Sequence, residues 1–386
     1  VNTVKSPKTI NVLHLASFKG NIGDNANHNG SRTLFESQLG RTFNFKEVEI
    51  RSFYRGHRKF DEAFIEEVNS YDLFVVGGGN YFELWPENSK SGTSINFGVD
   101  DLKKIHTPTI FYSLGVDTGQ GVAPGNKEKF RDFCEYAFLN DRFFISIRND
   151  GARSNLTELY DGDFASKFTC IPDGGFFCRY KNNEFPFKSP RRTLVGLQIA
   201  GDMQAQRFKS SKDAIVAEFV SFISEAASSN PELDFVFFNH IPKDLELSTR
   251  IVSESPDTLS RERLFIAPYG QGSAMAEKIF GIYSQCDLVI ANRFHANVVP
   301  ISMNIPCIGI SNFKQINGLY AELGLQDCLI EINSTGFSKA LLEKTLELLA
   351  NRDKVRERLV SLNSNLFLQT KDSYSRLEGF LKRNSL

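Results

Sequence analysis

The segment ANRFHANVVPISMNIPCIGIS carries the most specific chemistry in the chain, because it sets Asn292, Arg293 and His295 at the end of an apolar run. An arginine there can grip a carboxylate or phosphate with two parallel hydrogen bonds. A histidine two residues on titrates near neutral pH and can pass a proton. Arg148, Asp150 and Ser154 follow the apolar run FFISI in a similar way. Asp150 either steadies the guanidinium or caps the next helix. Asp173, in IPDGG, is a further strand-end acid suited to act as a base or an orienting group.

Two glycine-bearing turns accompany these residues. Gly20 to Ala26 reads GNIGDNA, a strand-to-helix turn whose backbone N–H groups can face an anion. It lacks both the dinucleotide fingerprint and the GKS or GKT of a P-loop. Asp24 and Asn25 there either orient a sugar hydroxyl or cap the helix. Gly77, Gly78 and Gly79, followed by Asn80, end an apolar strand and leave room for backbone to approach a ligand. Ser113, Gly115 and Val116 form a weaker version at the next strand end, and Lys314 and Gln315 add a cation after the last strand.

Other candidates read more blandly. His14 lies inside the first strand and is expected to be structural, His106 belongs to a surface loop, and His240 ends a strand after DFVFFN. Asp161 and Asp163 form the sole D-x-D, in a turn away from the strand ends, where a solvated role is expected. Arg51, Arg55, His57, Arg58 and Lys59 make a basic run read as a solvated loop. There is no HExxH and no histidine–carboxylate cluster at metal-ligand spacing, so no metal is expected.

The elements that must position these residues alternate. Ile10 to Ala16 is a strand, followed by a helix bearing Leu34, Phe35 and Leu39; further strands are expected near Phe45 to Ile50, before Gly77, over Thr107 to Val116 and at FFISI, with helices over Phe60 to Val68 and Lys127 to Leu139. The stretch from Asp173 to Arg192, with Pro186 and Pro190, has no period and reads as a linker. A second alternation follows, with strands at Thr193 to Ala200, from Asp234, at Leu264 to Ala267, from Cys286 and at Ile305 to Ile310. The tail from Ser338 to Leu381 is expected to be one or two helices with a break near Asn363 to Thr370. Such alternation implies α/β architecture with open parallel sheets.

Length supports the same organisation, since 386 residues suit two domains. With 45 Lys and Arg against 46 Asp and Glu, no global nucleic-acid footprint exists and any anion site must be local. Six Cys without a CxxC pair suggest reduced thiols, and Ile10 to Ala16 is too short for a signal segment or membrane span, which points to the cytoplasm. Phe is in excess at 35 residues, a supply suited to cores or interfaces.

Taken in order, GNIGD at 20–24, GGG at 77–79, Arg148 with Asp150 and Ser154, Pro172 with Asp173, RFH at 293–295, Pro306, and Lys314 followed by ELGL at 322–325 resemble the polysaccharide pyruvyl transferase family. The resemblance implies two Rossmann-like domains facing across a cleft, GT-B-like, here divided as 1–182 and 183–386, the second with C-terminal helices. It implies a metal-independent transferase that moves the enolpyruvyl unit of phosphoenolpyruvate onto a sugar of a polysaccharide or its lipid-linked precursor and closes a pyruvate ketal. His295 would then be the general acid, with Asp24 or Asp173 assisting on the acceptor side. Arg148, Arg293, Phe294, Lys314, Gly78 and Gly79 would hold the donor. No cofactor is implied beyond phosphoenolpyruvate as donor substrate. The implied partners are that donor and a sugar, glycan or lipid-linked oligosaccharide, with peripheral contact at the inner face of a membrane and homo-oligomer formation, and no nucleic acid. Two rivals remain: a GT-B-like glycosyltransferase using a nucleotide-sugar donor, and a noncatalytic glycan-binding protein.

Overall fold

The computed structural model describes residues 9–181, 192–203, 207, 210–311, 313–332 and 336–386. These residues divide into two compact units. The first comprises residues up to Phe18, His28–Phe177 and Leu366–Leu386; the second comprises Lys19–Asn27 and Cys178–Asn365. Much of the expected linker, with Pro186, Pro190 and the 182/183 boundary, lies outside the described residues. Its described beginning contains a short 3-10 turn at Gly174–Phe177. The division is more interleaved than a single cut, because the start of one helix and the end of another change sides.

The first unit is built on a parallel sheet of β1 (Ile10–Ala16), β2 (Phe43–Glu49), β3 (Leu73–Glu83), β4 (Thr109–Asp117), β5 (Phe143–Ile147) and β6 (Thr169–Cys170), in the order β2-β1-β3-β4-β5-β6. Its central strands are buried almost throughout, as strands covered by helices on both faces must be. The phenylalanine excess is largely spent here. Phe82, Phe97, Phe111, Phe130 and Phe133 are fully buried, with ring centroids 4.8 Å apart for Phe82–Phe130 and 5.1 Å for Phe111–Phe133. Tyr374, on the returning C-terminal helix, bonds Tyr112 of β4 through their hydroxyls at 2.7 Å.

The second unit repeats the plan with β7 (Thr193–Gln198), β8 (Leu233–Phe237), β9 (Leu264–Ile266), β10 (Leu288–Ala291), β11 (Cys307–Ser311) and β12 (Leu329–Glu331). The order is β12-β11-β10-β7-β8-β9, all parallel. In both sheets the chain order reverses beside the first strand of the unit, the topology at whose strand ends ligands gather in doubly wound folds.

Two expectations are corrected. β3 does not end at its glycines but runs through them to Glu83, with Gly77 paired to Tyr112 and Gly79 to Leu114. Gly77 has φ of +124°, and a Cβ there would lie 2.3 Å from the Tyr112 carbonyl oxygen, so glycine serves the close approach of β3 to β4. The tail does not break near Asn363 to Thr370. It breaks at Asn351, between helices Phe337–Ala350 and Arg352–Arg383. The second of these contains no proline, and its one glycine, Gly379, falls in the final turns.

Candidate functional site

In the second unit, β10 delivers its apolar run into the core, and the chain then turns at Asn292 and Arg293 into the helix Phe294–Ser302, with Arg293 as its extended N-cap residue. The turn is tied from several sides. The Arg293 N–H donates to Gln198 Oε1 at 2.8 Å, and Asn292 Nδ2 donates to the Ile310 carbonyl at 3.1 Å. His295 therefore sits in the first helical turn, buried, with Phe294 edge-on to its ring.

Against it comes the first turn of the helix Ile22–Leu39. Gly23 packs on the imidazole so closely that a Cβ there would be 2.8 Å from His295 Cβ and 2.9 Å from Nδ1. One residue on, Asp24 brings Oδ1 to 3.9 Å from His295 Nδ1. The GNIGD turn and the RFH turn, about 270 residues apart in sequence, meet at this point.

Arg293 is held by two acids. Its Nε and Nη2 reach Asp244 at 2.7 and 2.6 Å, and Nη2 also reaches Asp202 at 2.7 Å. Asp244 additionally accepts from the Gly201 and His240 backbone N–H groups and from Gln198 Nε2. Burial opposes its charge, yet the Arg293 bonds hold its carboxyl below the ordinary range. Arg207 is a second guanidinium at this cluster. Its Nε lies 3.5 Å from Asp202, and its guanidinium stacks on the Phe313 ring at 4.6 Å. Burial, and next the positive charge of Arg293, lowers the Arg207 pKa to about 10, and among the described residues its buried Nε has no partner within strict hydrogen-bond geometry. An additional anion would relieve that repulsion. His240 is excluded as a proton carrier, because burial lowers its pKa to about 3 and Nε2 is bonded to the Tyr283 hydroxyl at 3.0 Å.

The first unit handles its strand-end arginine differently. Arg148 Nε and Nη2 reach Asp150 Oδ2 at 2.9 and 2.7 Å, while Nη1 reaches Asp173 at 3.2 Å. All three side chains are at most 3% exposed. Asp173 also accepts the Gly175 N–H at 2.8 Å. Arg148 and Asp173, expected to meet an anion and a sugar hydroxyl respectively, are bonded to one another inside the unit. Gly78 and Gly79 are buried within β3, and Lys314 is exposed at the start of the helix Lys314–Glu322. His14 is structural, bonded to the Gly77 carbonyl, with burial driving its pKa well down. Asp161 caps the helix Gly162–Ser166 through the Phe164 N–H, and among the described residues no group of three or more His, Cys, Asp or Glu is arranged for a metal.

Sequence reasoning missed Arg207, Asp202, Asp244 and Gln198. Gln198 ends β7 and was legible as a strand-end polar group. Asp244 gave no signal, because its partner lies 49 residues away.

Residues 18–314 match the family model described as polysaccharide pyruvyl transferase. The chain belongs to that family. No curated protein matches this pyruvyl transferase family member. Among solved structures it is similar over its whole length to a glycosyltransferase from Rickettsia africae, at 12% identity and TM-score 0.57, covering 97% of this chain and 98% of that one. It is also similar to an α,α-trehalose-phosphate synthase (UDP-forming) from Burkholderia vietnamiensis, at 11% identity and TM-score 0.53, covering 98% of each. A third is UDP-GlcNAc 2-epimerase from Neisseria meningitidis, at 9% identity and TM-score 0.52, covering 94% and 99%. These likenesses establish the fold, two Rossmann-like lobes of the GT-B-like class, and the family makes the protein a sugar-modifying transferase. Among the described residues no helix is long and apolar enough to cross a membrane.

Proposed function

We propose that the protein transfers the enolpyruvyl unit of phosphoenolpyruvate to a sugar and closes it into a pyruvate ketal. The observation that carries this reading is the pairing of His295 with Asp24 in the same unit as the Arg293–Arg207 cluster. Phosphoenolpyruvate needs cations for its phosphate and carboxylate and a proton for its methylene carbon. Arg207, held 3.5 Å from Asp202, is the cation that takes the donor, and Arg293 is the pre-set guanidinium beside it. His295 protonates the methylene carbon as a sugar hydroxyl adds to the adjacent carbon, and Asp24, 3.9 Å from the His295 ring, takes the proton that the hydroxyl gives up. Attack by a second hydroxyl then breaks the bond to phosphate, which leaves carrying that hydroxyl's proton. Arg148 and Asp173 act as positioning residues that brace the strand ends of the first unit.

A second reading, glycosyl transfer from a nucleotide sugar, is favoured by the fold relatives, which include a UDP-forming synthase and an enzyme bound to UDP-GlcNAc. The two readings part on the leaving group. Purified protein incubated with phosphoenolpyruvate and a panel of glycosides should release inorganic phosphate only when a sugar is present. His295→Ala should slow that release by about 10²- to 10⁴-fold with little change in melting temperature. Nucleoside diphosphate release from a nucleotide sugar, with no phosphate from phosphoenolpyruvate, would select the second reading.

A further inference from the structure

The chain has a single tryptophan, Trp85, and it is 43% exposed, just beyond the end of β3. Tyr54, 50% exposed, is the other strongly exposed aromatic ring of the first unit near this strand end, and its phenol faces Ser94 and Glu83. Val122, also exposed, lies in the loop whose Ala123 N–H is bonded to the Leu84 carbonyl at 2.9 Å.

The floor among them is polar and mixed. Asn80 Nδ2 donates to Asp117 Oδ2 at 2.9 Å and to Glu83 Oε1 at 3.4 Å, and Ser94 Oγ donates to Glu83 Oε2 at 2.9 Å. Asn80, Glu83 and Asp117 are all only half-buried, so each retains access to solvent. Behind them Gly115 lets the backbone close in, since a Cβ there would meet Asn80 Oδ1 at 2.3 Å and Arg148 Nη2 at 2.8 Å. The Arg148 triad thus braces the wall behind this floor. Burial, and next the Asp117 charge, pushes the Glu83 carboxyl up to about 7, so near neutrality it both donates and accepts hydrogen bonds.

Flat aromatic faces beside carboxyl and amide groups match a pyranose, which offers an apolar C–H face and a rim of hydroxyls that donate and accept. We propose that Trp85, Tyr54, Glu83, Asn80 and Asp117 form a binding site for a neutral sugar of the acceptor glycan. The ring stacks on the indole or phenol, and its hydroxyls bond the Glu83–Asn80–Asp117 floor. An anionic ligand is disfavoured by the two carboxyl groups, so the donor does not bind here. The assignment rests on the reading of the protein as a sugar-modifying transferase, and is independent of which donor it uses.

Because Trp85 is the sole tryptophan, its emission reports on this site without any turnover. Full-length protein would be titrated with the methyl glycosides of galactose, glucose, mannose and N-acetylglucosamine, and separately with phosphoenolpyruvate. At least one glycoside should give a saturable emission change. Its apparent Kd should rise by about tenfold in Glu83→Gln, where one acceptor oxygen becomes an N–H donor, and in Tyr54→Ala, where a stacking ring is lost. Circular dichroism on both variants verifies the fold. No saturable response to any glycoside, or a response equal in wild type and Tyr54→Ala and Glu83→Gln, would overturn the proposal. If glycosides bind but phosphoenolpyruvate releases no phosphate, the site stands and the donor reading fails. If sugar-dependent phosphate release is the same in wild type and both variants, the donor reading stands and this site fails.

Discussion

The two strand-end arginines look alike in sequence and differ in structure. Arg148 closes a dry triad with Asp150 and Asp173, in which no member is more than 3% exposed. Arg293 shares a buried acid, Asp244, but its second acid, Asp202, is 32% exposed and lies beside a second guanidinium, Arg207. One arginine with two buried carboxylates forms an enclosed cluster of net negative charge. Two arginines around one buried and one accessible carboxylate form a charge-balanced cluster with one face open to solvent. The lesson is that an arginine at a strand end becomes a binding group or a brace according to the acids that tertiary packing brings to it.

That contrast can be broken most directly at Arg148. Arg148→Met would strand two buried carboxylates and should cost about 3–5 kcal/mol of stability, read as a large fall in melting temperature or in denaturant midpoint. A variant as stable as wild type would remove the brace from the account. The matching change in the other unit is Arg207→Ala, which should leave stability within about 1 kcal/mol, since the guanidinium is poorly paired, while raising the KM for the anionic donor by roughly tenfold or more. An unchanged KM would mean that the cluster does not hold the donor.

The smallest expected effect concerns Glu83, a carboxyl beside Asp117. Its pKa is raised in the fold from 4.5 to about 7, so the folded state binds the extra proton between these values. Its contribution to stability is therefore fully present below about pH 4.5 and is lost as pH rises through about 7. Melting temperatures of wild type minus Glu83→Gln, followed from pH 4.5 to 8, should decline across that window. A difference independent of pH would show that Glu83 titrates as an ordinary surface carboxyl.

Much of the fold was legible beforehand for a simple reason. Strands buried on both faces must be continuous apolar runs, and β1 and β5 were read at their observed limits, while β8 and β10 were read from starts within two residues of the observed ones. The very short β6 and β12 carried too few residues to show a pattern. The passage of β3 through three glycines was hidden because local propensity reads glycine as a stop, whereas close packing on β4 requires it.

By itself the sequence determined the alternating α/β order, the two parallel sheets and the strand-end positions of Asp24, Arg148, Arg293 and His295. All of these follow from periodicity and short-range residue chemistry, which neighbouring residues suffice to specify. Only the tertiary structure decided that Asp24 belongs with His295, that Arg293 answers to Asp244 and Asp202, and that Arg148 is enclosed by Asp173. Charge pairing acts through space over a few ångströms, and the partners are set by which loops the sheets bring together, a property that no local stretch of sequence contains.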